Sequence, residues 1–270
     1  MCYGPAQFAE ETVGKIIAVA NQKGGVGKTT TAVNLAACLA AAERPTVLVD
    51  IDPQANATTG LGVDLRTVSR HTYHLLLGQA RAEELLLSTP LSALHLIPSR
   101  RELVGAEVEL VDLEDREGRL RAALQPLAER FEYVLVDCPP SLGFLTLNGL
   151  VAASSVLVPL QCEYYALEGL GQILETVRLC QQGLNPGLGV EGILLTMYDG
   201  RMNLANQVAE EVRGHFGERV FRTMIPRNVR LSEAPSHGKP VILYDIRCAG
   251  SEAYLALARE VIDGSKARAR

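Results

Sequence analysis

The stretch Lys23-Gly24-Gly25-Val26-Gly27-Lys28-Thr29-Thr30 follows a short β-branched run, Ile16–Ala20, and opens a segment of helical periodicity that begins near Thr29. Glycines at these positions let the backbone turn its N–H groups inward around a phosphate chain, and the helix N-terminus adds a dipole that favours negative charge. A strand, a glycine loop and a helix in this order predict a nucleotide phosphate-binding loop. We therefore expect Lys28 to contact the β- and γ-phosphates and the Thr29 hydroxyl to bind Mg²⁺.

Outside this loop, short apolar runs alternate with longer segments of helical periodicity along most of the chain. The further predicted strands are Thr46–Ile51, Leu94–Pro98, Tyr133–Asp137, Ser155–Leu160, Gly189–Thr196 and Arg219–Met224. The predicted helices are Thr29–Ala42, Gly118–Phe131, Leu142–Ala153, Glu168–Gln182, Asn203–Phe216 and Ser251–Ile262. This order predicts an α/β fold, and the continuous apolar strands indicate a doubly wound, mostly parallel sheet with helices on both faces.

Length and composition fit a single domain. Of the 270 residues, 47% are apolar and 21% are charged, so the chain can bury a core large enough to fold alone. No repeat or linker divides the sequence. We expect an irregular lead-in over residues 1–14, one α/β domain over residues 15–263, and a short basic tail over residues 264–270.

Charge and cysteine content exclude several classes of protein. The net charge of −5 argues against a general polyanion binder, but residues 199–270 hold 12 basic and 9 acidic side chains, which allows a local basic face. The six cysteines contain no Cys-x-x-Cys pair, so the sequence indicates neither a disulfide framework nor a zinc site. No apolar run approaches the roughly 18 residues of a membrane span, and no signal-type segment is found. We therefore expect a cytoplasmic protein.

Carboxylates at two further strand ends suit nucleotide hydrolysis. Asp50 and Asp52 follow the strand that begins at Thr46, and Asp137 ends another strand. Because parallel sheets bind ligands at the carboxyl ends of their strands, we expect all three near the phosphate loop. Asp137 would bind Mg²⁺ through water, while one of Asp50 and Asp52 holds the magnesium shell and the other orients the attacking water. On spacing alone, the alternative is that Asp52 only caps the turn before Pro53.

The phosphate loop departs from the common G-x-x-x-x-G-K-[ST] pattern, because Gln22 replaces the first glycine and Lys23 precedes the glycine pair. A second lysine at this place is the mark of the deviant Walker A motif, and here the chain resembles the ParA/MinD family of P-loop ATPases. The resemblance implies that Lys23 reaches across a dimer interface to the partner's nucleotide, as an arginine finger does. It assigns the attacking water to Asp52 and places Asp50 in the metal surroundings. A lysine that only neutralises its own loop is the alternative.

The run Ile225–Pro240 reads I-P-R-N-V-R-L-S-E-A-P-S-H-G-K-P. It resembles, almost residue for residue, the corresponding run of the chromosomal ParA subgroup often called Soj. The resemblance implies that four side chains contact DNA phosphates without reading bases, namely Arg201, Arg227, Arg230 and Lys239. It also implies that Pro226 and Asn228 lie by the adenine, with Met197 as a further candidate. From the residues alone, arginines scattered on loops are equally well explained as solvated surface.

Together the resemblances imply a chromosome- or plasmid-partitioning ATPase that uses ATP and Mg²⁺. In that family ATP closes a sandwich homodimer, the dimer binds double-stranded DNA of the nucleoid non-specifically, and slow hydrolysis releases it. A ParB-type centromere-binding partner, through a basic N-terminal segment, stimulates that hydrolysis. Membrane binding is not expected, because the basic tail carries no bulky apolar residue to insert.

Three alternatives remain open at the level of the sequence. The first is a MinD-like membrane-cycling regulator of cell division. The second is a nucleotide-dependent ligase or reductase of the same superfamily, such as a cobyrinate-amidating enzyme or an iron–sulfur ATPase, for which Cys138 beside Asp137 would be the starting point. The third is regulation of a replication initiator, as an added role of a partitioning ATPase.

Overall fold

The computed structural model describes residues 14–268. Most of the predicted lead-in and the last two residues of the predicted tail lie outside the described residues, so the division into lead-in, domain and tail stays a prediction. The strands are β1 Lys15–Val19, β2 Thr46–Asp50, β3 Leu87–Ser88, β4 Leu94–Ile97, β5 Tyr133–Asp137, β6 Ser155–Gln161 and β7 Gly189–Thr196. The α-helices are α1 Lys28–Ala41, α2 Asn56–Gly60, α3 Thr72–Leu76, α4 Val104–Glu109, α5 Arg119–Ala128, α6 Phe144–Ala152, α7 Ala166–Gln182, α8 Asn203–Phe216, α9 Val229–Glu233, α10 Val241–Tyr244 and α11 Ala249–Arg268.

The strands of the described residues form one sheet in the order β3-β4-β2-β5-β1-β6-β7. Every neighbouring pair runs parallel except β3 and β4, which are antiparallel at the edge. All residues of β2 and β5 are buried, because helices cover both faces of the sheet, and this explains their continuous apolar sequences. The predicted doubly wound α/β fold is confirmed.

Successive residues of β1 point to opposite layers of the core. Ile16 and Ala18 pack in the layer built by α5, α6, α7 and α8, whereas Ile17 and Val19 pack in the layer built by α1 and α11. The strand register also fixes the place of the site, because Asp137 lies opposite Val19 of β1 and also opposite Asp50 of β2. The loop that leaves β1 therefore starts beside both carboxylates.

The predicted strand Arg219–Met224 is wrong. The segment meets β7 through one isolated bridge and not along a ladder. The N–H groups of Arg222 and Thr223 instead donate to the carboxylate of Glu260 on α11, at 2.9 and 2.7 Å. Because these N–H groups donate to a side chain, they are not available to a neighbouring strand, and the apolar run does not continue as a strand of the sheet.

Two further elements differ from the prediction. The last helix continues to Arg268, whereas periodicity placed its end near Ile262. The stretch of residues 64–117 holds short helices and the two-residue strand β3, none of which the sequence pattern predicts. No helix within residues 14–268 is both long and apolar enough to span a membrane.

Candidate nucleotide site and basic face

The phosphate loop is held open by glycine geometry and by side chains from neighbouring strands. Gly25 and Gly27 have φ angles of 77° and 86°, in the left-handed region that glycine adopts without strain, and Gly27 is the N-cap of α1. The Thr196 hydroxyl at the end of β7 donates to the Val26 carbonyl at 2.9 Å. The Asn21 side chain donates to the Pro159 carbonyl at 2.8 Å. The loop is therefore shaped for an anion before any ligand binds.

The two lysines of the loop have different surroundings. Lys28 is buried and its ammonium donates to the Lys23 carbonyl at 2.8 Å, across the mouth of the loop. Burial lowers the pKa of Lys28, while the charge of Asp137 raises it. Lys23 is half-exposed, and its ammonium pairs with the Glu163 carboxylate at 3.0 Å. Lys28 thus faces the site, and Lys23 lies at the rim, from which a side chain can reach a neighbouring molecule.

Asp137 fits a magnesium site. It is fully buried, and neither carboxylate oxygen accepts a hydrogen bond of normal geometry from the described residues. Burial and the charge of Asp50 raise the pKa of Asp137, whereas the nearby Thr29 hydroxyl and Lys28 ammonium lower it. A buried carboxylate without a donor needs a cation, and Mg²⁺ prefers one or two carboxylates together with phosphate oxygens. Asp137 and Thr29 are the residues that would hold the ion.

Asp50 has a different role from the one predicted near the metal. Its Oδ1 accepts from the Asp52 N–H at 3.0 Å, and its Oδ2 accepts from the Thr58 N–H at 2.9 Å and the Thr58 hydroxyl at 2.7 Å. Burial raises the pKa of Asp50, and the bonds from Thr58 and Asp52 lower it. Both oxygens of Asp50 thus accept hydrogen bonds from the segment that follows β2, so that Asp50 helps to position Asp52, and its place in the metal surroundings stays a prediction.

Asp52 makes the turn-capping hydrogen bond that the sequence left open, and its role with the attacking water stays a prediction. Its Oδ1 accepts from the Gln54 N–H at 2.9 Å, so the carboxylate does cap the turn before Pro53. Within the described residues nothing donates to its Oδ2. Asp52 is nearly buried, and its charge acts on both Lys28 and Asp137, which places it at the same site. One oxygen holds the turn and the other remains available to a water molecule.

A cavity of about 470 Å³ lies beside the loop and α1. The site residues predicted from sequence that line it are Gly27, Thr30, Met197, Pro226, Asn228 and Arg227. Asn228 caps α9 through its side-chain oxygen, which accepts from the Arg230 N–H at 2.9 Å, so its amide NH₂ group is left as a donor. Met197 has a φ of 50°, uncommon for a residue with a side chain. The volume and position suit a nucleoside next to the phosphate loop.

The four predicted DNA contacts lie on two loops that are joined to each other. Residues 198 and 226 form an isolated parallel bridge, and the Arg227 N–H donates to the Tyr198 carbonyl at 3.0 Å. Arg201 pairs with Asp199 at 2.6 Å, and Arg230 pairs with Glu233 at 2.8 Å and with Asp245 at 3.3 Å. Arg227 and Lys239 are exposed, and neither makes an ion pair with another described residue.

The loop after α2 packs directly against the loop that carries Lys239. Gly62 and Gly238 have φ angles of 84° and 60°, and their backbones touch. A Cβ atom on Gly62 would lie 2.8 Å from the Gly238 carbonyl oxygen, and a Cβ atom on Gly238 would lie 2.6 Å from Gly62 Cα. Lys239 therefore directly follows a residue in close contact with the loop after α2.

Sequence reasoning missed four residues that organise the site: Asn21, Thr58, Glu163 and Thr196. Asn21 and Thr196 follow or end apolar strands, and a polar residue at such a place is a signal that could have been used. Thr58 and Glu163 carry no local signal, because their partners Asp50 and Lys23 are reached only through the fold.

Two other features of the described residues carry none of the predicted chemistry. A larger groove of about 750 Å³ lies between α3 and α5, but none of the predicted site residues lines it. Within residues 14–268 no group of three or more His, Cys, Asp or Glu side chains is arranged to hold a metal ion. The chemistry therefore centres on the phosphate loop.

Comparison with known proteins agrees with this geometry. Residues 14–190 match a family model described as an AAA domain. The chain is 59% identical to the chromosome partitioning protein ParA of Myxococcus xanthus, with 97% of this chain and 93% of that protein covered. It is 56% identical to the sporulation initiation inhibitor protein Soj of Bacillus subtilis, with 92% and 98% covered.

Among solved structures, cobyrinic acid a,c-diamide synthase of Mycobacterium smegmatis is similar to this chain. It is 38% identical with a TM-score of 0.83, and 94% of this chain and 96% of that one are covered. That protein was solved with ADP and magnesium and with an ATP analogue and magnesium. The bound groups confirm the prediction of ATP and Mg²⁺ as cofactors of this fold.

Proposed function

This chain belongs to the ParA/Soj family of chromosome-partitioning ATPases, and on that premise we propose that it is a nucleotide-switched DNA-binding protein. ATP joins two copies, the dimer binds DNA without sequence preference, and hydrolysis releases both. The observation that carries the proposal is the segment 226–230. Pro226, Arg227 and Asn228 line the nucleotide cavity, while the exposed side chain of Arg230 in the same segment belongs to the basic face.

Each part of the site has a role in hydrolysis. Bound Mg²⁺ neutralises charge on the phosphates, and Asp137 and Thr29 would hold it. Lys28 places its ammonium on the β- and γ-phosphates. The free oxygen of Asp52 orients the attacking water and accepts its proton, while Asp50 fixes the Asp52 backbone. Lys23 adds positive charge to the partner's γ-phosphate when two copies meet.

DNA binding follows from the number of cations that one dimer presents. A single copy offers Arg201, Arg227, Arg230 and Lys239, two of which must first leave acidic partners. Two copies double the phosphate contacts, and because affinity grows steeply with each contact, ATP-dependent dimerisation switches binding on. A ParB-type partner at its DNA sites would stimulate hydrolysis, and the chain would work in the cytoplasm on the nucleoid.

Hydrolysis and assembly test the nucleotide half of this proposal. We expect Asp52→Ala to retain ATP binding but to lower the turnover number at least about a hundredfold, because a general base is lost. In light scattering with ATP, Asp52→Ala should remain dimeric and Lys23→Ala should remain monomeric. The surface variant Glu218→Ala should match the wild type in both assays. Normal turnover by Asp52→Ala, or a Lys23→Ala dimer as stable as the Asp52→Ala dimer, would contradict the assignment.

The structural similarity to a cobyrinic acid diamide synthase makes amidation the second candidate. An enzyme that takes ammonia from glutamine through a covalent intermediate needs a reactive thiolate. Burial raises the pKa of four of the five thiols among the described residues, namely Cys38, Cys138, Cys162 and Cys180, which opposes that role for these four. Identity to the partitioning proteins is also higher. Glutamine-dependent ammonia release by the purified chain with ATP would favour amidation over partitioning.

A further inference from the structure

The segment between β2 and α2 is closed by one buried carboxylate. Asp50 Oδ1 accepts from the Asp52 N–H at 3.0 Å, at the start of the segment. Asp50 Oδ2 accepts from the N–H and from the hydroxyl of Thr58 in α2, at 2.9 and 2.7 Å. Asp50 and Thr58 are both fully buried, so water does not compete for these bonds. We call the three bonds the Asp50 clamp.

The Asp50 clamp is fixed to the sheet through Thr58. The Thr58 hydroxyl donates to Asp50 and also accepts from the Ser99 N–H at 2.9 Å. Ser99 is fully buried and lies two residues after β4, the strand that pairs in parallel with β2. A single hydroxyl therefore ties α2 to the ends of two neighbouring strands.

The turn that the Asp50 clamp encloses is strained at Ala55. Its φ of 53° lies in the left-handed region, which costs free energy for most residues that carry a Cβ atom. Within the turn, the N–H groups of Gln54 and Ala55 donate to Oδ1 and to the carbonyl of Asp52, both at 2.9 Å. A strained turn keeps its conformation only where the surrounding structure holds it. The Asp50 clamp holds this turn at both ends.

We propose that Thr58 is a positioning residue for ATP hydrolysis. Its hydroxyl, held by the Ser99 N–H, keeps Asp50 in place. Asp50 in turn holds the Asp52 backbone, so that the second oxygen of Asp52 faces the attacking water. Thr58 acts through Asp50 and is not itself a catalytic residue. The effect on hydrolysis rests on the proposed function, whereas the Asp50 clamp does not.

The variant Thr58→Val keeps the shape of the side chain and removes the hydroxyl. A methyl group then replaces an oxygen that lies 2.7 Å from Asp50 Oδ2, although a carbon and an oxygen atom need at least about 3.3 Å. Asp50 must therefore shift, and the Ser99 N–H loses its acceptor. The turnover number should fall at least about tenfold, because catalysis is sensitive to small displacements of the reacting groups. The ATP concentration that gives half-maximal turnover should change less than about twofold.

Two further variants separate this role from a loss of stability. Thr58→Ser keeps the hydroxyl and should retain at least about half of the wild-type turnover number. Thr46→Val is the matched control, because Thr46 is fully buried at the other end of β2 and its hydroxyl donates to the Arg44 carbonyl at 2.8 Å. The same substitution removes one buried hydrogen bond there. It should lower the melting temperature but leave the turnover number unchanged.

Amide hydrogen exchange gives a readout that does not depend on hydrolysis. In the full chain without nucleotide, mass spectrometry reports how firmly the N–H groups of residues 52–58 are held. Exchange in this segment should be at least about tenfold faster in Thr58→Val than in the wild type, because local opening becomes more frequent. Thr46→Val should exchange in this segment as the wild type does.

The dependence on Mg²⁺ separates positioning from a role in the metal surroundings. If Asp50 held the ion, its displacement in Thr58→Val would raise the Mg²⁺ concentration that gives half-maximal turnover. A positioning role leaves that concentration within about twofold of the wild-type value, because only the chemical step is changed.

Several results would overturn the proposal: wild-type turnover or wild-type exchange in Thr58→Val, an equal loss of turnover in Thr46→Val, a Thr58→Ser protein as slow as Thr58→Val, or a raised requirement for Mg²⁺ in Thr58→Val. A wild type that does not turn over ATP would contradict the proposed function and with it the hydrolytic half of this inference. The exchange measurement would still decide whether Thr58 holds the Asp50 clamp.

Discussion

Asp50, Asp52 and Asp137 carry the same functional group at neighbouring strand ends, and their surroundings give them different chemistry. Both carboxylate oxygens of Asp50 accept hydrogen bonds from Asp52 and Thr58. One oxygen of Asp52 accepts a hydrogen bond in the turn that follows it, and neither oxygen of Asp137 accepts one of normal geometry from the described residues. The number of donors that reach each carboxylate therefore supports the proposed roles, in which Asp50 positions the loop, Asp52 acts as the base and Asp137 binds magnesium.

His71 allows a test at the level of one residue. It is buried at the N-cap of α3, where its Nδ1 accepts from the Tyr73 N–H at 3.5 Å. Burial, and then the charge of His74 with that of Arg100, lower the pKa of His71 to about 4, although Glu102 acts in the opposite direction. Between about pH 6.5 and pH 4, the His71 imidazole is protonated in the unfolded chain, where its pKa is about 6.5, but stays neutral in the folded chain. Folding stability should therefore fall as the pH drops from about 6.5 towards 4.

Between pH 7 and pH 5, we expect the unfolding free energy of the wild type to fall by about 2 kcal/mol more than that of His71→Asn, in which the asparagine can still cap the helix. Urea denaturation at the two pH values measures this difference. His215→Asn, on the exposed surface of α8, should keep the wild-type dependence. If His71→Asn loses as much stability as the wild type over this range, the pKa of His71 is not lowered.

At the scale of elements, the loop after α2 touches the turn before α10. Gly62 and Gly238 approach so closely that neither has room for a side chain. Helix α2 joins Gly62 to the loop that holds Asp52, and Lys239 directly follows Gly238. Under the proposed function, a shift of α2 on hydrolysis would therefore act on the turn that carries Lys239.

We expect Gly62→Ala to lower the unfolding free energy by about 2 kcal/mol, because alanine is strained at a φ of 84° and its Cβ meets the Gly238 carbonyl. It should also weaken ATP-dependent DNA binding more than ATP binding. Gly214→Ala in α8 is the control, since nothing lies within 4 Å of its added Cβ and its φ is helical. That variant should be as stable as the wild type or up to about 1 kcal/mol more stable. A Gly62→Ala protein of wild-type stability would show that the contact is not tight.

The elements that could be predicted from the sequence are those specified by neighbouring residues. Local motifs contain the phosphate loop, Asp52, and the pair Pro226 and Asn228. In the structure, Pro226 and Asn228 line one cavity with residues of the phosphate loop, and Asp52 follows the neighbouring strand β2. Contacts between distant segments were not predictable, such as Lys23 with Glu163, because no local pattern records them. The strand predicted at Arg219–Met224 failed for the same reason, since the carboxylate that takes its N–H groups lies on the last helix.

At the scale of the whole molecule, acidic charge predominates, and the four predicted DNA contacts lie on two loops that are joined to each other. The net charge of −5 keeps a single copy from binding DNA over its whole surface. Arg201 and Arg230 are paired with acids, and Arg227 also lines the nucleotide cavity. Reversal of Arg230 would place a third acid beside Glu233 and Asp245, and reversal of Arg227 would place negative charge at the nucleotide cavity. Lys239 is therefore the cleaner residue with which to test the proposed DNA contact.

The most direct measurement is a DNA-binding titration of the wild type, Asp52→Ala and Lys239→Glu, each with ATP, ADP or no nucleotide at two salt concentrations. ATP alone should confer sequence-independent binding that weakens with salt, Asp52→Ala should bind at least as well, and Lys239→Glu should bind ATP as the wild type does but DNA more weakly. Binding that is absent with ATP, or that is equal with ATP, ADP and no nucleotide, would contradict the switch.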